Sequence, residues 1–270
     1  MTAATTASVR LVHVSDTHLV APGSETGRHA ALDPAAVDPA ANLIAALGLP
    51  SDDDDIGDDI GDDIDADIDG DIDVIDDIDV IVHTGDITDD GSPEATTQVA
   101  ELLRARCQRV MMTAGNHDRI EVVREVAPDD VITVGAWQIV RLDTAVPGVV
   151  HGEIDAARAA ATLDRLSGPW IAIAMHHPLR SNSTHPWFQL RGGDELESVI
   201  IARPRVRLVL SGHTHQQYRA VLPGGCLLAG GPSTYYSIDH AGEQWGASRA
   251  PVGVSTMLLH PDGAVELDHH

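Results

Sequence analysis

The sequence predicts a layered α/β fold, because short apolar runs rich in β-branched residues each end in a cluster of polar residues, and helix-like segments separate them. Residues 9–14 (VRLVHV) run into Ser15 and Asp16, as a buried strand does when it delivers side chains to a loop. Residues 35–48 (AAVDPAANLIAALG) follow as a helix with Pro39 near its start. Residues 78–84 (IDVIVHT) lead to Gly85 and Asp86, and a helix over 93–106 begins at Ser92 as N-cap before Pro93. Residues 109–114 (RVMMTA) lead to Gly115, Asn116 and His117, and 155–166 read as a helix. Residues 169–175 (PWIAIAM) lead to His176 and His177, 193–202 read as a helix, and 206–211 (VRLVLS) lead to Gly212 and His213. From Tyr218 to Leu267, apolar runs broken by Pro and Gly predict further strands and no long helix. In open α/β sheets ligands bind at the carboxyl ends of strands, where all five polar clusters fall.

The 270 residues, 43% of them apolar, are expected to form one domain over 1–270, interrupted by a low-complexity acidic insertion at about 51–77. The net charge of −25 is largely local, since residues 51–80 hold 16 of the 42 acidic side chains and no basic one. Mutual repulsion and the inserted glycines make this Asp/Ile/Gly stretch an acidic loop rather than a strand. It lacks the closing Glu of an EF-hand, so calcium binding of that kind is excluded. All 17 basic residues are Arg, they form no basic patch, and aromatics are 3%, so no nucleic acid polymer is expected as partner. Cys107 and Cys226 are too few for a disulfide framework and read as buried thiols. The N-terminus has no basic start followed by an apolar run, and no stretch of 18 apolar residues occurs, so a soluble, cytoplasmic protein without membrane insertion is expected.

The strand ends carry Asp16-x-His18, Gly85-Asp86, Gly115-Asn116-His117-Asp118, His176-His177 and Gly212-His213-Thr214-His215. Carboxylate, amide oxygen and imidazole donors without thiolate suit zinc, manganese or iron at a catalytic site. The pairs Asp16/His18 and His213/His215 would each lie on one side of an extended backbone. Seven candidate ligands, Asp16, His18, Asp86, Asn116, His176, His213 and His215, exceed one tetrahedral ion and suit two ions sharing a carboxylate, with Asp86 as the candidate bridge. Glycines before Asp86, Asn116 and His213 allow tight backbone at the strand-to-loop turns. His13, His83, His151 and His260 read as packed core histidines, and Asp89, Asp90 and Asp118 as solvated or supporting groups. His185, Trp187 and Phe188 either cap the pocket or form a packed surface loop.

These blocks, in this order, resemble the calcineurin-like metallophosphoesterase superfamily, whose signature runs D-x-H, G-D, G-N-H-[DE], a lone His and G-H-x-H. All five are present, spanning about three quarters of the chain. Within the superfamily, GNHD, the MHHP turn and GHTHQQY look most like the bacterial class III cyclic-nucleotide phosphodiesterases and their glycerophosphodiesterase relatives. The resemblance implies a four-layer α/β/β/α sandwich. It implies that Asp16, His18, Asp86 and His215 hold one metal, and that Asp86, Asn116, His176 and His213 hold a second. His176 rather than His177 is implied as ligand because the family's metal histidine directly follows the strand, and His117 is implied to contact phosphate and assist the leaving group. Two departures stand out, Leu179 where relatives often continue with a second Pro, and the acidic insertion; both are expected to touch substrate access.

Water between two divalent ions loses much of its pKa, to about 7 in a zinc-bound case, and becomes a hydroxide able to attack phosphorus in line. Hydrolysis of a small phosphodiester is therefore expected, and the resemblance implies a 3′,5′-cyclic nucleotide first. Glycerophosphodiester or broader phosphoester hydrolysis is the alternative, and a noncatalytic metal-binding scaffold the reading from another class. A phosphoprotein phosphatase is disfavoured because GDITDDG replaces the Asp-Arg-Gly anchor such relatives carry.

Overall fold

Strands whose side chains are apolar on both faces need cover on both faces, and the architecture supplies it with two sheets packed against each other and helices outside each. The computed structural model describes residues 7–21, 38–50, 77–181, 183–240, 246–248 and 253–269. The chain runs β1 (Val9–Val14), α1 (Pro39–Ala46), β2 (Val80–His83), α2 (Pro93–Arg106), β3 (Val110–Met112) and α3 (Ile120–Val126). It continues through β4 (Val131–Val134), β5 (Trp137–Arg141), β6 (Gly152–Glu153), α4 (Ala156–Asp164), β7 (Trp170–Ala174), β8 (Leu190–Arg191) and α5 (Gly193–Ile201). The last stretch is β9 (Val206–Ser211), β10 (Tyr218–Val221), β11 (Leu227–Gly230), β12 (Ser237–Asp239), β13 (Gly246–Ser248), β14 (Ser255–Leu259) and β15 (Val265–His269).

One sheet has the order β15-β14-β1-β2-β3 and the other β10-β11-β9-β7-β5-β4, with two small two-stranded sheets, β12-β13 and β6-β8. Strands β1, β2 and β3 are mutually parallel, as are β5, β7, β9 and β11, while antiparallel strands β14-β15, β10 and β4 close every edge except that at β3. Alternation along each strand sorts the core into layers. Leu11, Val80, Val82 and Met111 face Trp137, Ile139, Ala172, Leu208 and Leu210 between the sheets. Val12, Val14, Ile81 and Met112 instead meet Leu43 of α1, Val99 and Leu103 of α2 and Val123 of α3. Val140, Ile173 and Val209 meet Leu163 of α4 and Leu196 of α5. The result is the four-layer α/β/β/α sandwich.

Asp38 and Asp155 cap α1 and α4, each accepting two backbone N–H groups of the first turn. Ser92 occupies the cap position of α2 but makes no side-chain cap; its carbonyl accepts the first helical bond, from the Thr96 N–H, and the Thr96 hydroxyl as well. The predicted helix 35–48 is described only from residue 38, and the acidic segment falls almost entirely in 51–76, outside the described residues. Helix α3 and the β4-β5 hairpin were not anticipated, although VITV-Gly135-Ala136-WQIV carries a hairpin signature and Gly135 turns at φ +55°. Arg141, at the end of β5, is the stitch between layers. Its buried guanidinium donates to Met112 O (3.1 Å), to Ala127 O (2.8 Å) and to Asp130 (2.7 Å).

Leu179 is buried in the core beneath α4 and α5, so its departure from the family pattern is a matter of packing rather than of substrate access. Cys107 and Cys226 are free and buried. His13 and His83 are core residues, whereas His151 and His260 are only partly buried and pair with Glu153 and Glu266. Among the described residues no helix is long and apolar enough to cross a membrane.

Candidate metal centre

The five polar clusters lie at the carboxyl ends of β1, β2 and β3 in one sheet and of β7 and β9 in the other, so the two sheets bring their loops to a common edge. Backbone bonds weld these loops: Asp16 N–H donates to Gly85 O, His18 N–H to Asp86 O, and Gly212 N–H to His176 O, each at 3.0 Å. The expected extended geometry of the x-spaced pairs is not what brings them together. Asp16, His18, Asp86, His213 and His215 all sit at positive φ, between 49° and 69°, in the left-handed region that L-residues avoid. Left-handed turns at these positions aim Asp16, His18 and His215 at one group of donors and His213 at a second, beside His176. The neighbouring glycines serve close approach: a Cβ on Gly115 would strike Asp86, and one on Gly212 would strike Ser15 and Asp16.

Hydrogen-bond partners assign the imidazole tautomers, since a carbonyl oxygen only accepts. His176 Nδ1 donates to Thr84 O (2.7 Å), His215 Nδ1 to Tyr236 O (2.8 Å) and His213 Nε2 to Trp187 O (2.8 Å). His18 Nδ1 donates to the carboxylate of Asp89 (3.3 Å). The remaining ring nitrogens then turn lone pairs inward. His18 Nε2 and His215 Nε2 lie 3.1 Å apart, with Asp16 Oδ1 3.5 Å from the latter. His176 Nε2 lies 3.2 Å from both Asn116 Oδ1 and His213 Nδ1. Between the two groups stands Asp86. Its Oδ1 accepts from His117 N–H (3.0 Å), while its Oδ2 lies 3.8 Å from His18 Nε2 and 3.4 Å from His176 Nε2. Acceptors facing acceptors in a buried pocket are satisfied by cations, so the residues present fit divalent metal ions. His177 belongs to the same cluster by distance, yet both its nitrogens are engaged, Nδ1 with the Thr144 hydroxyl (2.9 Å) and Nε2 donating to Val150 O (3.1 Å).

Electrostatics carry the same demand for positive charge. Burial would raise the Asp86 carboxyl, but His176 and His117 draw it well below the usual carboxylate range. Burial, with the charge of Asp86 beside it, pushes Asp16 up to about 7. Burial lowers His18 and His215, and lowers His213 to about 3, leaving neutral imidazoles with lone pairs available. Burial would lower His176 as well, yet Asp86 facing it lifts it to about 9, so a proton there meets the need a metal would meet.

Supporting groups surround the donors. Asp89, expected as a solvated or supporting group, has its side chain only 9% exposed, and its Oδ1 is shared by His18 Nδ1 (3.3 Å) and His117 Nδ1 (3.1 Å). Its position three residues after Asp86 was the one available signal, and it does not reveal that sharing. Asp118 accepts from the backbone N–H groups of Ile87, Thr88 and Gly115 and so ties the Asp86 loop to the Asn116 loop. Under Asp16, Thr84 Oγ1 donates to Ser15 Oγ (2.8 Å), which donates to Asp16 Oδ2 (2.5 Å); with the Thr84 proton so used, His13 Nε2 donates to Thr84 Oγ1 (2.8 Å).

Residues 9–217 match the family model for calcineurin-like phosphoesterases. The chain belongs to the calcineurin-like phosphoesterase family. As a calcineurin-like phosphoesterase it is a phosphoric ester hydrolase, and its signature blocks coincide with the convergent loops described above. It is similar to the 3′,5′-cyclic adenosine monophosphate phosphodiesterase CpdA of Pseudomonas aeruginosa, at 29% identity over 70% of this chain and 73% of that protein. A 3′,5′-cyclic-nucleotide phosphodiesterase of Nostoc is 30% identical over 69% of this chain and 74% of that protein. In fold, the phosphoesterase is similar to a dimetal phosphatase from Danio rerio, with a TM-score of 0.58 at 12% identity over 97% of this chain and 95% of that one. It is also similar to a purple acid phosphatase from yellow lupin, with a TM-score of 0.60 at 12% identity over 98% of this chain and 52% of that one.

Proposed function

We propose that this phosphoesterase is a metal-dependent phosphodiesterase that hydrolyses a small diester, a 3′,5′-cyclic nucleotide first, at a dinuclear centre. The observation that carries the reading is the placement of Asp86 Oδ2 between His18 Nε2 and His176 Nε2, each flanked by further inward lone pairs. Asp16, His18, Asp86 and His215 would hold one ion; Asp86, Asn116, His176 and His213 would hold the other. Bound there, two divalent transition-metal ions, drawn from iron, manganese or zinc, would activate water and neutralise charge on the phosphoryl oxygens. The similarity to proteins named as cyclic-nucleotide phosphodiesterases supports the diester as substrate.

The chain's own residues supply the rest. A cavity of about 340 Å³ opens on His18, Asp86, Asn116, His117, His213 and His215, large enough for a small diester. Burial acts to lower His117, but Asp86 and Asp89 outweigh it and lift the ring to about 9. From the cavity wall it can hydrogen-bond a phosphoryl oxygen or give its proton to the departing alkoxide. Asp89 Oδ1, on His117 Nδ1, holds the ring in place for that donation.

Protein reconstituted separately with manganese, iron and zinc is expected to hydrolyse bis-p-nitrophenyl phosphate and cyclic AMP. His117→Ala and Asn116→Ala are each expected to lower turnover by about 10²-fold or more while the circular dichroism is unchanged. Undiminished turnover in either variant would remove the proposed mechanism. A panel that adds glycerophosphodiesters and monoesters separates the cyclic-nucleotide reading from the broader one.

A further inference from the structure

The cavity over the donor cluster has two unlike walls. One is the cluster itself; the other is Val150, Trp187, Phe188, Tyr236 and Ile238, without a charged side chain. Val150, 38% exposed, and Trp187, 45% exposed, are two of the four large hydrophobic residues exposed among the described residues, and both line this one cavity. Apolar side chains scattered singly over a surface need no explanation, but two converging on a reactive cluster do.

Both are held by their backbone to histidines of the cluster. His177 Nε2 donates to Val150 O (3.1 Å) and His213 Nε2 to Trp187 O (2.8 Å), so the rim is registered to the donor atoms. Next in the chain, Phe188 is buried and packs with its ring centroid 5.2 Å from that of His213 and 4.5 Å from that of His240. Trp187 N–H donates to His185 Nδ1 (3.3 Å), which pins the 3₁₀ turn over Pro186–Phe188. Of the two readings of this segment, the packed loop therefore describes Phe188 and the pocket cap describes Trp187.

We propose that Trp187, with Val150, is the platform that receives the flat aromatic part of the substrate, a nucleobase, and so selects nucleotide diesters over glycerol diesters. The inference rests on the phosphodiesterase reading and adds the residue that reads the organic group. A wall without charged groups offers the hydroxyls of glycerol little in exchange for their water. A base stacked on an aromatic ring gains about 10- to 100-fold in affinity. The neighbouring cavity of about 490 Å³ is lined by the charged Asp89, Asp90, Arg119 and Glu121 together with the apolar Ile120 and Val146, and it has no Trp, Tyr or Phe on which a base could stack.

The test is calorimetric binding of two reaction products, adenosine 5′-monophosphate and glycerol 3-phosphate, to the manganese-loaded full chain and to its Trp187→Ala, Trp187→Phe and Val150→Ser variants. The wild type is expected to bind the nucleotide more tightly than glycerol 3-phosphate. Trp187→Ala should weaken the nucleotide by about tenfold and glycerol 3-phosphate by less than about twofold, while Trp187→Phe stays within about threefold of wild type. Val150→Ser should weaken the nucleotide selectively and to a smaller extent, and it keeps the test open if Trp187→Ala does not fold. Equal weakening of both ligands, weakening of neither, or a wild type that does not prefer the nucleotide would overturn the platform. Hydrolysis separates the two ideas. A wild type inert to cyclic AMP and to glycerophosphodiesters, but with a selective binding loss in Trp187→Ala, overturns the reaction alone; normal hydrolysis with an unselective loss overturns the platform alone.

Discussion

At the scale of single residues, the centre is built from side chains that are individually uncomfortable. Five candidate ligands occupy left-handed backbone, a conformation that costs an L-residue about 1–2 kcal/mol, and such strain persists where surrounding structure holds it for a purpose. The surrounding structure here is the set of partners that orients each imidazole, and Asp89 serves two rings at once. Asp89→Asn keeps the shape but removes the charge that holds His18 and His117. It is expected to weaken metal affinity by about 10- to 100-fold, measured by competition with a chromogenic chelator. An unchanged affinity would show that the Asp89 contacts do not orient His18. The donor types at this scale were legible in the sequence, because D-x-H, G-D, G-N-H-D and G-H-T-H name their chemistry directly. The sharing of one Asp89 oxygen was not, because it joins three loops, with Asp89 71 residues from His18 and 28 from His117.

At the scale of elements, the apolar runs before each cluster became strands, since a run buried on both faces fits the interior of a parallel sheet. Ser92 holds the N-cap position of α2 as the sequence predicts, but its hydroxyl makes no bond to the first turn, so the cap is one of position only. Arg141 joins elements the sequence reading did not connect, closing β5 on β3 and on the end of α3. Arg141→Met would leave Met112 O and Ala127 O without their donor and is expected to cost about 3 kcal/mol in urea unfolding at neutral pH. Its partner Asp130 is more than half exposed. Burial raises the Asp130 carboxyl, but the Arg141 hydrogen bond outweighs it and the net direction is downward. A carboxyl depressed by folding adds stability above its unfolded pKa of about 3.9, and that stability is lost as pH falls through the lower folded value. Asp130→Asn should therefore be less stable than wild type at pH 6, by under about 1 kcal/mol given solvent screening, and the gap should close in strong acid. A gap that widened toward acid would contradict the assignment.

At the scale of the whole molecule, two sheets meet face to face and offer their strand ends at one edge, and the acidic segment enters the chain between α1 and β2. Every donor in the proposed centre comes from outside that segment, so deletion of residues 52–76 is expected to leave two metals per chain by elemental analysis; their loss would assign the acidic residues to the centre. The sequence by itself determined the donor chemistry, the strand-to-loop grammar and the family, because these are written in side-chain identity and short spacing. Only the tertiary structure decided that His18 meets His215 across 197 residues, that Asp86 stands between the two imidazole groups, and that Trp187 rather than Phe188 reaches the mouth of the cavity. Such choices depend on how one sheet packs on the other and on left-handed turns at single residues, and no local periodicity encodes either.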